Sequence, residues 1–358
     1  MIRRPPRSTL SSSSAASDVY KRQPSPILNF LNYLLEDFAD EWTTKYMFHY
    51  RWYFKQDAEN AKKMLVLQHK LDIDNELMEQ FSEVIADRQI NRLWVVGSNN
   101  ETANLIDQSY KRYLELLESH LTTSTFMFGQ RPSSADFGMY GQLSQLVGFD
   151  PTPRDIACEI SPRTISWVSI MSDLSGLHDK GGIGKFFGVD NNNDTNDEIN
   201  YFNDNSGWFD IDKVPNTLLD IFNEIGRVYI PCLIANSKAF NNGDTVWETK
   251  IDNSVWKQKT FPYQVKCLNW IKDEFNAEEI RTPTDANRRI SFISSYKCIF
   301  SSCTSGSSIE TLSICTFSPF NSISSSALLI TVKFLRPKKS IFRSPRSSTS
   351  RKFVCESR

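Results

Sequence analysis

The chain has 358 residues with 41 basic and 42 acidic side chains, the balance of an ordinary globular protein of two or three domains. That balance hides three unequal segments, because residues 1–23 carry 5 basic side chains and 1 acidic one, residues 281–358 carry 13 and 3, and the stretch between carries 23 and 38. A centre with a net charge of −15 repels phosphates, which excludes a uniformly basic nucleic-acid binder.

The leader, residues 1–23, is rich in Arg and Ser and nearly free of acids. That composition suits an organelle transit peptide, but Pro5-Pro6 and the serine run at 11–14 oppose the amphipathic helix that such a peptide needs. The leader also resembles translated sequencing-adaptor DNA. We therefore expect it to be disordered and non-native.

From residue 24 onward, apolar residues recur at the spacing of helices. The first and longest pattern predicts a helix over residues 27–54. Similar patterns predict helices over 74–95, 102–121, 136–147, 161–174, 215–241 and from 262 through 275. Two runs of β-type residues, 246–251 and 255–260, flank a short turn and predict a hairpin. The expected fold class is therefore mainly α, a helical bundle with a small β-hairpin near its end.

The predicted helix over residues 136–147 is preceded by the most informative local signal. Ser133 can accept a hydrogen bond from the backbone amide of Asp136, while the Asp136 carboxylate reaches back to the amide of Ser133, as in a capping box. The helix behind this cap is apolar, so we expect the cap to be buried and its loss to cost on the order of 1 kcal/mol or more.

No metal site is expected in this chain. The four histidines lack the spacing of a metal site or a catalytic triad. The Asn- and Asp-rich stretch at 190–205 could suggest a calcium loop, but Thr195 and Tyr201 stand where such a loop needs glycine and glutamate. We interpret this stretch as a solvated surface loop.

The tail, residues 281–358, shows no sustained helical or strand period. Serine makes up 20 of the 68 residues from 291 onward. One interpretation is a basic arm for nucleic acid or membrane surfaces; scattered cysteines and short apolar bursts instead favour a mistranslated, disordered segment. The predicted domain therefore spans residues 24–280.

Cysteine usage and hydropathy bear on the compartment. Seven cysteines, an odd number without a secretory leader, favour free thiols and a cytoplasmic protein. No apolar run reaches the roughly 20 residues that span a bilayer, so no membrane association is expected.

The middle of the chain resembles the C-terminal helical domain of bacterial cytosolic glutathione transferases. The resemblance covers roughly residues 26–276. Its main motif is Gly129-x-x-Pro132-Ser133-x-Ala135-Asp136-Phe137, in which Ser133 and Asp136 match the family's buried helix cap. The resemblance extends to the segments at 35–42, 47–52, 150–153 and 173–177.

This resemblance implies a function. Family members add the glutathione thiolate to electrophilic substrates or reduce peroxides, and a preceding thioredoxin-like domain supplies the glutathione site and the catalytic residue. Only the leader precedes residue 24 here, so we expect that domain to be missing, the chain alone to be inactive and the catalytic residue to be unassignable. The resemblance also implies glutathione as co-substrate and a homodimer.

The first helix of this domain lines the substrate cleft in the family. Its aromatic and polar residues here are therefore candidates for a wall that contacts a small electrophilic substrate, with Arg51 as a residue that could hold an anion. These candidates are Tyr46, His49, Tyr50, Trp52 and Tyr53. Spacing predicts that His49, Trp52 and Tyr53 share one face; core packing is the alternative interpretation for each residue.

A second hypothesis belongs to a different class. Transferase-like helical domains also serve as non-catalytic protein-interaction modules, which would need a polar, self-sufficient face on the 27–54 helix. The aromatic density of that helix favours the enzyme fragment with a missing domain.

Overall fold

The computed structural model describes residues 25–175, 207–252 and 254–275. The predictions for the leader, the tail and the 190–205 stretch lie outside these residues. Within them the chain is mainly helical with one small antiparallel hairpin, which confirms the predicted fold class.

Most connections between successive helices and strands are short in the described ranges. In order they are α1 (Pro26–Phe38), a π-helical turn (Ala39–Thr43), α2 (Thr44–Tyr53), α3 (Lys55–His69), α4 (Asn75–Ile90), a 3₁₀ turn (Leu93–Val96), α5 (Ala103–His120), α6 (Ser134–Gly148), α7 (Pro151–Ile160), α8 (Pro162–Ser172), a 3₁₀ turn (Ile211–Lys213), α9 (Asn216–Asn242), β1 (Val246–Ile251), β2 (Ser254–Lys259) and α10 (Pro262–Phe275).

The continuous rod formed by α1, the π-helical turn and α2 runs through the core. Pro26 occupies the first turn of α1, where its missing amide proton costs no helical hydrogen bond. Leu28, Leu35, Phe38 and Trp42 are fully buried, since α6, α9 and α5 surround the rod. The rod ends where Phe54 becomes extended, close to the predicted end.

Two helices have no counterpart among the predicted elements. Helix α3 buries Ala58, Ala61 and Val66, and helix α7 buries Pro153 and Ala157. Small side chains give a weak hydrophobic period, so the sequence pattern did not indicate either helix.

Helix α4 begins where predicted but ends at Ile90, before a 3₁₀ turn takes up the rest of the predicted range, and its buried residues are small. Its buried residues are Ser82 and Ala86, which lie against α3, whereas Leu77, Phe81 and Val84 are 47%, 53% and 64% exposed. Among the large apolar residues of this helix, Ile85 packs against the cluster that contains Ala58, Ala61 and Ala86, whereas the other three face outward. We call Leu77, Phe81 and Val84 the outer α4 face.

The hairpin packs onto the core through alternate residues of its strands. Trp247 pairs with Gln258 and Thr249 with Trp256 in the antiparallel register. The Trp256 ring is fully buried and its centroid lies 5.3 Å from that of Trp42. The hairpin is thereby attached to the central rod. None of the helices in the described ranges is long and apolar enough to cross a bilayer.

Candidate functional site

The five candidate residues on α2 divide into separate groups. Tyr46 and Tyr50 are buried and point to α5. The Tyr46 hydroxyl accepts a hydrogen bond from Trp42 Nε1 at 2.7 Å and lies 2.6 Å from Ser109 Oγ. The Tyr50 hydroxyl donates to Asp107 at 2.8 Å. Both phenols are satisfied inside the chain, and burial raises both pKa values well above the usual range, so they stay protonated.

A second stripe on α2 holds the segment at residues 96–100. Lys45, His49 and Tyr53 lie four residues apart and therefore on one side of the helix. Lys45 Nζ donates to the Val96 carbonyl at 3.5 Å. His49 Nδ1 lies 2.7 Å from the Ser98 hydroxyl, and the Tyr53 hydroxyl donates to Asn100 Oδ1 at 2.9 Å. Three successive contacts therefore fix this segment against the rod.

His49 and Tyr53 share a face as predicted, with their rings stacked at 4.6 Å. Trp52 does not join them. It packs instead in a separate cluster with Ala58, Ala61 and Ala86, below α3 and α4. That part of the prediction is wrong, because the packing of the α3–α4 pair against α2 draws Trp52 to another side.

His49 is uncharged at neutral pH. Burial lowers the pKa of its imidazole to about 4, and the charge of the Asp107 carboxylate offsets only part of this effect. No hydrogen-bond partner for Nε2 is found within the described residues. A neutral imidazole therefore contacts Ser98.

Arg51 has a structural partner of its own. Its guanidinium group binds Asp150 through Nε and Nη2, donates to Gln145 at 3.0 Å and lies 4.4 Å from the Phe149 ring. Burial raises the pKa of Asp150 to about 6, although the charge and hydrogen bonds of Arg51 oppose the rise. Because Asp150 already occupies the guanidinium group, this geometry argues against a role for Arg51 in holding a substrate anion.

The capping box predicted at residue 133 is present and buried. Asp136 Oδ2 accepts from the Ser133 amide at 2.8 Å and from the Ser133 hydroxyl at 2.6 Å, and Oδ1 accepts from the Met127 amide at 2.9 Å. Both cap residues are fully buried. The carboxylate thus joins the start of α6 to the loop that precedes it, a contact that the capping pattern alone did not predict.

An open pocket of about 230 Å³ lies on the outer side of the 96–100 segment. The hairpin forms its other wall. It is lined by Trp94, Gly97, Ser98, Asn99, Val246, Lys257, Gln258 and Lys259. Sequence reasoning missed this site, although Gly97-Ser98-Asn99 is a typical turn sequence, because strand β2 contributes the other wall from a distant part of the chain.

Neither a metal site nor a disulfide is found among the residues that the structure describes. No group of three or more His, Cys, Asp or Glu side chains there could hold a metal ion. Cys158, Cys232 and Cys267 are free thiols, and burial raises the pKa of Cys232 to about 12. A thiol with a raised pKa is a poor nucleophile at neutral pH.

Comparisons with known proteins found no matching family model, no matching curated protein and no matching solved structure. The resemblance to glutathione transferases therefore rests on the quoted sequence motifs.

Proposed function

We propose that residues 24–280 are the substrate-side helical domain of a glutathione transferase-like protein. The observation that supports this proposal is the buried reciprocal cap of Ser133 and Asp136 at the start of core helix α6. A fully buried carboxylate is costly unless several donors satisfy it, and here two backbone amides and a hydroxyl do so. The cap thus has the place and the burial that the family resemblance implies.

In this proposal the chemistry comes from glutathione bound to a thioredoxin-like domain. Its thiolate is the nucleophile, which displaces a leaving group such as chloride from an electrophilic carbon, or attacks a peroxide oxygen and breaks the O–O bond. In the second case a further glutathione converts the resulting sulfenic acid to a disulfide and water. Of the five wall candidates, Tyr53 is the one with an exposed ring, at 37%, while the others are buried. Substrate contact in α2 therefore falls to Tyr53, with the His49 ring stacked behind it.

The test begins with the gene. DNA upstream of the Pro24 codon is sequenced, and we expect it to encode about 80 residues of thioredoxin-like pattern, the size of a small domain. A protein that joins these upstream residues to residues 24–280, called the joined protein, is then assayed with glutathione and 1-chloro-2,4-dinitrobenzene, and the present chain is assayed beside it. We expect turnover from the joined protein and none from the present chain. An unrelated gene upstream, or a joined protein without turnover, would contradict the proposal.

A variant of the joined protein tests the substrate wall. Tyr53→Ala should raise KM for the electrophile several-fold and leave KM for glutathione unchanged. Tyr263→Ala, which removes a ring of similar exposure on α10, serves as the matched control. Equal effects of the two substitutions on KM for the electrophile would show that Tyr53 does not contact the substrate.

The outer α4 face favours a second candidate function, a non-catalytic interaction module that binds a second copy of the chain. Leu77, Phe81 and Val84 form one apolar stripe, and Arg88 continues it. In an antiparallel pair centred on Phe81, Arg88 lies opposite Asp74 of the other copy, since each stands two helical turns from the centre. The face is therefore complementary to itself in charge as well as in hydrophobicity.

Sedimentation of the full chain tests this candidate. We expect a dimer that Phe81→Glu converts to monomer and that Gln80→Glu, an exposed control on the same helix, leaves intact. A monomeric chain at all concentrations, or equal effects of both substitutions, would reject self-association through α4.

A further inference from the structure

We propose that the pocket between the 94–99 segment and the hairpin binds a small ligand with one carboxylate group on a flat apolar body. This inference is separate from the glutathione transferase proposal, because none of the residues that line the pocket belongs to the substrate wall or the helix cap.

The charge of the pocket selects an anion. Lys257 and Lys259 both line it, and its lining contains no acidic side chain. Glu248 faces Lys257 in the strand register, but neither Lys257 nor Lys259 forms a salt bridge within the described ranges. Two uncompensated ammonium groups beside one concavity attract a negative ligand.

The apolar lining and the volume of the pocket suit a small aromatic body. Trp94 is 49% exposed and Val246 is 39% exposed, so each offers apolar surface. Lys259 Nζ rests 4.2 Å from the centroid of the Trp94 ring, which places a positive charge beside this surface. A volume of about 230 Å³ is below that of most drug-binding pockets, which favours a ligand about the size of one ring with a carboxylate.

The pocket wall is held rigid from behind. Gln258 Nε2 donates to the Val95 carbonyl, while its Oε1 accepts from Trp256 Nε1 at 3.1 Å. Gly97 has a φ of 77°, and a Cβ there would lie 2.5 Å from Trp256 Cζ2, so the segment rests directly on the tryptophan ring. His49 fixes the Ser98 hydroxyl at the floor.

This rigidity has two consequences for binding. The Gln258 carboxamide makes its hydrogen bonds to Trp256 and Val95, and the two lysines carry the positive charge of the lining. A preformed wall also spares the ligand the entropy cost of ordering a loop.

The experiment measures binding of two matched probes to the full chain. Benzoate and benzamide have nearly the same shape, but only benzoate is charged at pH 7. Saturation-transfer NMR titrations should give a Kd for benzoate in the millimolar range, as expected for so small a ligand, and a benzamide Kd at least about tenfold higher. Added salt should weaken benzoate binding.

Variants locate the site. Joint replacement of Lys257 and Lys259 by Gln should weaken benzoate binding at least fivefold, and Trp94→Ala should weaken both probes. Lys250→Gln, an exposed lysine of the same hairpin that does not line the pocket, should change neither Kd. Circular dichroism verifies that each variant is folded.

Three results would overturn the proposal. They are no saturable benzoate binding, equal affinity for benzoate and benzamide, and equal loss of binding in the Lys250 control. Failure of the glutathione conjugation assay would leave these outcomes unaffected, so the two proposals are tested separately.

Discussion

Substitution of Asp136 by Asn tests whether the buried carboxylate at the start of α6 stabilises the fold. The substitution keeps the size and shape of the side chain and removes its charge. In the native chain both carboxylate oxygens accept hydrogen bonds, Oδ1 from the Met127 amide and Oδ2 from the amide and hydroxyl of Ser133. An asparagine has only one acceptor oxygen, so its NH₂ group must face a backbone N–H.

The expected magnitude follows from these contacts. If the new oxygen faces Met127, the buried Ser133 amide loses its acceptor, which costs about 1–3 kcal/mol. The bond that remains is no longer charge-assisted, and this removes roughly a further 1 kcal/mol. The free energy of unfolding should therefore fall by about 2–4 kcal/mol, a large part of the stability of a typical domain.

Urea unfolding at pH 7.5, followed by far-ultraviolet circular dichroism, measures this loss. Asp155→Asn is the matched control, because Asp155 is exposed on α7 and undergoes the same chemical change. It should alter the free energy of unfolding by less than about 0.5 kcal/mol. A fall of under about 1 kcal/mol in the Asp136 variant would refute the reasoning that the carboxylate is an essential acceptor.

Three further predictions concern other buried groups. Burial lowers the pKa of His120 to about 4, so the stability that the neutral imidazole contributes is present above its unfolded pKa of about 6.5 and is lost as the pH falls toward 4. His120→Gln should therefore flatten the fall in unfolding free energy between about pH 6.5 and pH 4. An unchanged slope would contradict this. Gly97→Ala should destabilise by about 1–3 kcal/mol in urea unfolding, more than Gly243→Ala, since both positions have a positive φ but a Cβ at Gly243 meets nothing within 4 Å. Arg51→Met should cost about 3–5 kcal/mol because Asp150 is left buried and unpaired, and adding Asp150→Asn should recover part of this loss in a double-mutant cycle; purely additive losses would argue against the ion pair.

The helices with large buried side chains could be predicted from the sequence, and those with small ones could not. The rod of α1 and α2 has an apolar residue at nearly every turn, so its period is plain. Helix α3 buries alanines and the stem of Lys62, and α7 begins with two prolines in four residues, so neither has a clear period. In α4 the period was visible but its direction was not, because the face that a helix buries depends on the neighbour it meets.

The candidate site was predictable to a similar degree. The capping box has a local signature, and Ser133 and Asp136 were both identified from it. The aromatic density of α2 was also visible, yet the structure packs Tyr46 and Tyr50 within the chain, so this density does not require a missing domain to cover it. The lysines of the pocket come from strand β2, and no local pattern connects them with Ser98.

The π-helical turn at Ala39–Thr43 sets the angle between the two halves of the central rod. A turn of this kind holds one residue more than an ordinary α-helical turn, and the Thr43 and Thr44 hydroxyls donate to the Ala39 and Asp40 carbonyls within it. Deleting one residue there would restore an ordinary helix and rotate α2 by about 100° relative to α1. The stripe of Lys45, His49 and Tyr53 would then turn away from the 96–100 segment. The segment that forms the pocket floor is a surface turn, but its position depends on the extra residue in the π-helical turn inside the core.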